Sequence, residues 1–189
     1  IAHFFQRGEL QWGIDQFAMY GAYSYLEDLG RAPQVAFLDN RVMDQQYLPE
    51  GIVWFTITAS NEVGRFDPKT EKFDPVKEVP SSYGISLDKD NNVWFAELLE
   101  TGKIGRVDAK TMEVKKWALP TVNGRPRRIV VADDQTVWFA EFDSGKLAHF
   151  DPKTEKFSEF KSVTYKTPHG NGVTYGAAVD RDGNGWWAE

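Results

Sequence analysis

The chain of 189 residues carries 22 Lys and Arg against 28 Asp and Glu, a net charge of -6, with 41% hydrophobic and 14% aromatic residues. That apolar content supports a packed core, and the acidic balance disfavours binding to phosphate backbones, so nucleic acid is not an expected partner. No cysteine is present, which removes disulfides and thiolate metal sites; no apolar run reaches the ~18 residues of a membrane span, and no signal-peptide pattern stands at the start.

The first element in chain order is helical. Ile14, Phe17, Ala18, Gly21, Ala22, Tyr25 and Leu29 recur at helical spacing, and Gly30 with Pro33 supplies a stop. The spacing predicts an amphipathic helix over about 14–29, inside a non-repeat segment 1–50, packed on the main body or on a neighbouring subunit. Glu27, Asp28 and the lack of Lys or Arg in the helix argue against an anionic lipid surface. After it, "PQVAFLD" (Pro33 to Asp39) has the pattern of a strand, and "NRVMDQQYLPEG" reads as an unusually long turn.

From residue 51 to 189 the sequence repeats. "GIVWFT", "NNVWFAE", "QTVWFAE" and "NGWWAE" place Trp54, Trp94, Trp138 and Trp186 at intervals of 40, 44 and 48 residues. "NEVGRFDPKTEKF", "GKIGRVDAKTMEV" and "GKLAHFDPKTEKF" follow the first three, with Asp67, Asp108 and Asp151 lying 13, 14 and 13 residues after their tryptophans. In the clearest unit the strand candidates are Tyr83 to Asp88, Val93 to Glu97, Lys103 to Asp108 and Met112 to Ala118, separated by "KDNN", "LLETG" and "AKT". Four short antiparallel strands per unit of about 40 to 45 residues make the blade of a β-propeller. The expected fold is therefore all-β, and the Val-Trp-Phe run is the second strand of each blade, its aromatics filling the space between neighbouring sheets.

Repeats of the form "G(I/V)xxDxxxxVWF(T/A)E…GKIGRxDPKT" resemble the streptogramin B lyase, or virginiamycin B lyase-like, family over residues 51–189. The resemblance implies a seven-bladed propeller, of which about three and a half blades are visible at ~45 residues per blade. Ile1 in place of Met, and a stop midway through a blade at Glu189, suggest a portion of a longer chain or an arc completed by a protein partner. The family's catalytic histidines follow Pro at the start of first strands. The matching positions here are Tyr83 in "SSYGI", Arg127 in "RPRRI" and Tyr175 in "VTYGA". Its catalytic Glu lies four residues after a Trp, where Thr58, Leu98 and Phe142 stand. No catalytic residue is assigned in these blades. The Pro-His pair in "TPHG" puts His169 in a loop, His149 lies in a third strand, and His3 lies in the unmatched segment.

In a propeller, residues that begin the first strands and residues that leave the second strands converge around the axis. Tyr83, Arg127, Arg128 and Tyr175 are the former; Glu97 and Glu141, three residues after their tryptophans, are the latter. Two guanidinium groups with carboxylates nearby suit a polar or anionic small ligand. "DRDGNG" (Asp180 to Gly185) has the look of a calcium loop, but "DKDNN" and "ADDQT" occupy the same place in other units, which makes it a hairpin turn; no metal or other cofactor is expected. Two readings stand. One is a non-catalytic, ligand-recognising propeller, extracytoplasmic (periplasmic or secreted) and a subunit of a larger assembly. The other is a lyase-like enzyme, breaking a C–O bond by proton abstraction, whose catalytic blades lie beyond residue 189.

Overall fold

The computed structural model describes residues 42–48, 51–57, 61–99, 102–163 and 173–189. The helix expected over 14–29, the Pro33 to Asp39 run, His3 and His169 lie outside them. Among the described residues, fourteen strands form four antiparallel sheets, with no helix. The first sheet holds β1 (Val42–Tyr47), β2 (Val53–Ile57), β3 (Glu62–Asp67) and β4 (Lys72–Val76) in sequence order. The second holds β5 (Ser82–Leu87), β6 (Val93–Glu97), β7 (Lys103–Val107) and β8 (Val114–Ala118), and the third β9 (Pro126–Val131), β10 (Val137–Glu141), β11 (Lys146–Asp151) and β12 (Lys156–Lys161). A two-stranded sheet, β13 (Ala177–Val179) with β14 (Gly185–Trp187), comes last. The first strands lie side by side, β1 against β5, β5 against β9 and β9 against β13. This is the arrangement of propeller blades around an axis.

Two local readings differ from the structure. The stretch read as a long turn before Trp54 supplies β1, so the first blade opens at Val42 rather than at residue 51. "VMDQQY" lacks strand-like alternation; its pairing is set by register on β2, Gln45 opposite Phe55 and Gln46 opposite Trp54. In the second blade the fourth strand starts at Val114 rather than Met112, because Met112 takes a positive φ of 63° that closes the preceding turn. Glu71 and Glu155 adopt the same conformation at the equivalent places, with φ of 57° and 55°.

The repeated Gly-Arg of the third strand has a packing reason. Phe55 lies opposite Gly64 and Phe95 opposite Gly105, and a Cβ added to those glycines would stand 2.6 Å and 2.2 Å from the phenylalanine ring. The missing side chain lets the ring fold across the strand. Trp94 lies opposite Arg106, whose guanidinium carbon is 6.0 Å from the indole centroid, and Trp138 lies opposite His149, with ring centroids 4.6 Å apart.

Between the first two sheets Trp54, Val63, Val79, Ile85, Val93 and Phe95 form one core; between the second and third, Trp94, Ile104, Ile129, Val137, Phe139 and Phe150 form another. Along the series Trp54 is 0% exposed, Trp94 2% and Trp186 61%, with Trp138 half-buried. The first two are wedged between sheets as expected; Trp186 lies on the outer side of the last, short sheet.

Candidate functional site

The first strands carry a repeated irregularity at one end. Register slips between Ser82 and Ile85 in β5, and between Phe139 and Glu141 where β10 meets β9, so Tyr83 with Gly84 and Arg127 with Arg128 fall in β-bulges. A bulge re-aims side chains that regular alternation would send elsewhere. Ser81 and Arg125, two residues before Tyr83 and Arg127, both have φ of 49°, so the chain enters the two strands in the same way. A Cβ on Gly84 would lie 2.5 Å from the Arg127 carbonyl oxygen, which shows how closely β5 and β9 approach.

Four of the six residues singled out from the sequence meet at this end. The Arg127 guanidinium carbon lies 4.7 Å from the Tyr83 ring centroid, 4.3 Å from Phe142 and 4.2 Å from Tyr175. Arg128 approaches the two tyrosines at 5.2 and 5.7 Å. The Tyr83 and Tyr175 hydroxyls are 2.7 Å apart. Burial, then the hydrogen bond with Tyr175, pushes the Tyr83 phenol up. Burial also works to raise Tyr175, but the hydrogen bond from Tyr83 and the two guanidiniums outweigh it and hold that phenol below its ordinary value. Among the described residues no carboxylate forms an ion pair with Arg127, and its Nε is buried without a hydrogen-bond partner. The result is a cation held by cation–π contacts on several sides and not neutralised by an acid among the described residues.

Glu97 and Glu141 do not join this cluster. Glu97 is 2% exposed and its Oε1 lies 2.7 Å from Lys116 Nζ, across the sheet on β8. Glu141 is 0% exposed; its Oε2 accepts from Ser144 Oγ at 2.6 Å, and its carboxyl meets that of Glu159 on β12. Burial first, with the charge of Glu159 adding to it, pushes Glu141 up to about 7. Phe142 is the residue that sequence reasoning did not place in the site. It follows the second strand directly and contributes the third ring.

The other sequence candidates resolve into structural roles. The Asp180 carboxylate accepts from the amides of Asp182 and Asn184 at 3.0 and 2.8 Å, from Asn184 Nδ2, and from Trp186 Nε1 at 2.9 Å, which holds it down at about 2. Asp88 makes the same bonds to Asp90, Asn92 and Trp94. These carboxylates organise hairpin turns, and no cluster of His, Asp or Glu suited to a metal ion occurs among the described residues. Asp67, Asp108 and Asp151 likewise accept backbone N–H bonds within the Lys-Thr turns.

Fold and cluster together define a β-propeller of up-and-down blades with an arginine caged by aromatic rings where its first strands begin. The profile of the Virginiamycin B lyase family matches residues 45–189, and the chain belongs to that family. A virginiamycin B lyase of Nocardia farcinica (strain IFM 10152) is 32% identical over 107 residues, 57% of this chain and 33% of its own length. The solved virginiamycin B lyase of Staphylococcus aureus superposes with a TM-score of 0.68 at 25% identity, over 80% of this chain and 50% of its own. The hydrazine synthase of Kuenenia stuttgartiensis shares the fold alone, with a TM-score of 0.63 at 13% identity over 76% of this chain and 40% of its own. The chain thus spans about a third of the curated relative and half of the solved one.

Proposed function

We propose that the end of the propeller where the first strands begin recognises an anionic or polar group through Arg127, without turnover by the blades described here. The carrying observation is the caged guanidinium: three rings fix it, and no described carboxylate pairs with it. Rings over the faces of a guanidinium leave its edge, where the N–H donors lie, for a carboxylate or similar oxyanion. At the positions where the family resemblance implies histidines, the chain carries Tyr83, Arg127 and Tyr175, which suits binding better than proton abstraction near neutral pH. Titrating the chain with a panel of small carboxylates and with inorganic sulfate, followed by NMR of the Arg127 Nε–H and the Tyr175 ring, tests this. Saturable shifts that vanish in Arg127→Ala are expected; identical behaviour of the parent and that variant would remove the site.

The second reading, a C–O lyase acting on a cyclic or ester-linked substrate, is favoured by the family membership. It places the chemistry on blades outside residues 1–189. We also propose that the face of β13 and β14 packs on a further blade, from a longer polypeptide or a partner chain. In support, Trp186 is 61% exposed whereas its equivalents Trp54 and Trp94 are covered by the neighbouring sheet.

A further inference from the structure

We infer that Glu141 and Glu159 share one proton as a pH-operated lock on the Arg127 cluster, closed while the proton is held and loosened when the second carboxyl ionises. The inference deepens the reading of that cluster as an anion site and rests on it.

The two carboxyls meet on the face of the third blade that turns towards the second, and as carboxylates both are acceptors only. Glu141 Oε1 is buried with no donor on it, so contact with Glu159 is a hydrogen bond only if one of the two is protonated. Nearby cationic charge is already committed. Lys146 on β11 places Nζ 2.6 Å from Glu159 Oε2, and Thr121 donates hydrogen bonds to Glu159 from its backbone N–H at 3.1 Å and its hydroxyl at 2.7 Å. On the adjoining segments Arg125 and Asp143 are bonded to each other at 3.1 Å, and Lys161 lies opposite Lys146 in register.

The second blade provides the comparison. Lys116 lies opposite Gly105, as Glu159 lies opposite Ala148, so the position that gives Glu97 its ammonium partner gives Glu141 a second acid. One ammonium beside a buried carboxyl and a half-buried one balances a single negative charge. The burial-raised titration of Glu141, at about 7, agrees with this count.

The pair connects to the ligand site through backbone. The segment 119–125 lies over it: Thr121 is tied to Glu159, and a Cβ on Gly124 would be 3.1 Å from Glu141 Oε2. Gly124 and Arg125 accept the amides of Asp143 and Phe142 at 3.3 and 3.2 Å, near the long end for such bonds. The same segment runs through Pro126 into Arg127, and Phe142, a wall of the cage, directly follows Glu141. A second negative charge in the pair therefore repels Glu159 under 119–125 and draws water towards Phe142. Local charge also becomes more negative. Both effects weaken an anion at Arg127 as pH rises.

The test measures inorganic sulfate, whose charge is constant over the range, binding to the 189-residue chain from pH 5.5 to 8.5. Carbon-detected NMR of the glutamate carboxyls and amide exchange of 119–125 are recorded alongside. Sulfate affinity should fall at least about fivefold through pH 7 in the parent, and Glu141→Gln should keep the low-pH affinity throughout. Saturating sulfate should raise the Glu141 titration midpoint, the reciprocal of the same coupling. Glu159→Gln, which frees Lys146, should lower it. A parent whose sulfate affinity is flat while Glu141 titrates near 7 overturns the lock. If neither parent nor Arg127→Ala binds sulfate at any pH, the anion-site reading fails instead. A pH step in exchange of 119–125 that Glu141→Gln abolishes then still supports the lock, and its absence overturns it.

Discussion

Trp94→Ala and Trp186→Ala make the same change at equivalent positions of two repeats, and the structure assigns them different costs. Trp94 is 2% exposed, stacked 5.2 Å from Trp117 and tilted against Phe150 at 5.9 Å, and its Nε1 donates to Asp88 at 3.3 Å. Removing it opens a cavity between two sheets and should cost about 3 to 5 kcal/mol. Trp186 is 61% exposed, and its main contact of value is the 2.9 Å bond to Asp180, worth about 1 kcal/mol net. The variants should therefore differ by about 3 kcal/mol. At a slope of about 2 kcal/mol per molar urea, the unfolding midpoint should move by roughly 2 M for Trp94→Ala and by under about 0.5 M for Trp186→Ala. Equal midpoints for the two variants would refute the claim that the neighbouring sheet, rather than the repeat position, determines what these tryptophans are worth. In a longer chain that carries a further blade on β14, the Trp186→Ala cost should rise towards that of Trp94→Ala.

Lys116→Met leaves the Glu97 carboxylate buried without its cation and should destabilise by about 3 kcal/mol in urea. Lys115→Ala, which breaks an exposed ion pair with Glu155, should leave the midpoint nearly unchanged. Glu141→Gln should change the pH dependence of stability. A folded-state value of about 7 against an unfolded one near 4.5 means that the parent loses stability as pH rises from about 4.5 to 7, by about 3 kcal/mol, and stays at that lower level above it. The variant should lack that loss, so unfolding curves of the two should coincide at pH 4 and separate by pH 8; curves that stay together would count against a neutral buried Glu141. Glu159 titrates in the opposite sense. Burial raises it, but Lys146 and Thr121 outweigh that and hold it low, so its contribution is lost only as pH falls below the ordinary carboxylate range.

The repeat was legible because its cues are local chemistry: acidic turns before each Trp, Lys-Thr turns after each third strand, and an aromatic pair whose partners are Gly and Arg. β1 was not, since "VMDQQY" joins its sheet by register alone, and register is a property of the partner strand. The positions of Tyr83, Arg127, Arg128 and Tyr175 could be found by aligning the units, and at the first three a bulge recurs at the same point of the first strand. Glu97 and Glu141 lie apart from that cluster for a geometric reason. Side chains on a strand stand perpendicular to the sheet in alternation, so Glu97 shares the face of Phe95 and points into the layer between blades, not along the axis.

Once a carboxylate is committed to the layer between sheets, its neighbours decide its chemistry, and the blades decide differently. In the second blade a lysine on the fourth strand answers the acid across the sheet, and the pair is a structural tie. In the third blade the same position holds Glu159, and a lysine one strand over must serve two acids. A repeat that kept the tie in every blade would gain uniformity and lose the titratable group. The departure occurs in the blade whose first strand carries Arg127 and whose second strand leads into Phe142, so Glu141, the acid that burial pushes towards neutral pH among the described residues, is also connected by backbone to the caged arginine. That coincidence of position is the physical basis for looking for ligand recognition and its pH dependence in the same blade.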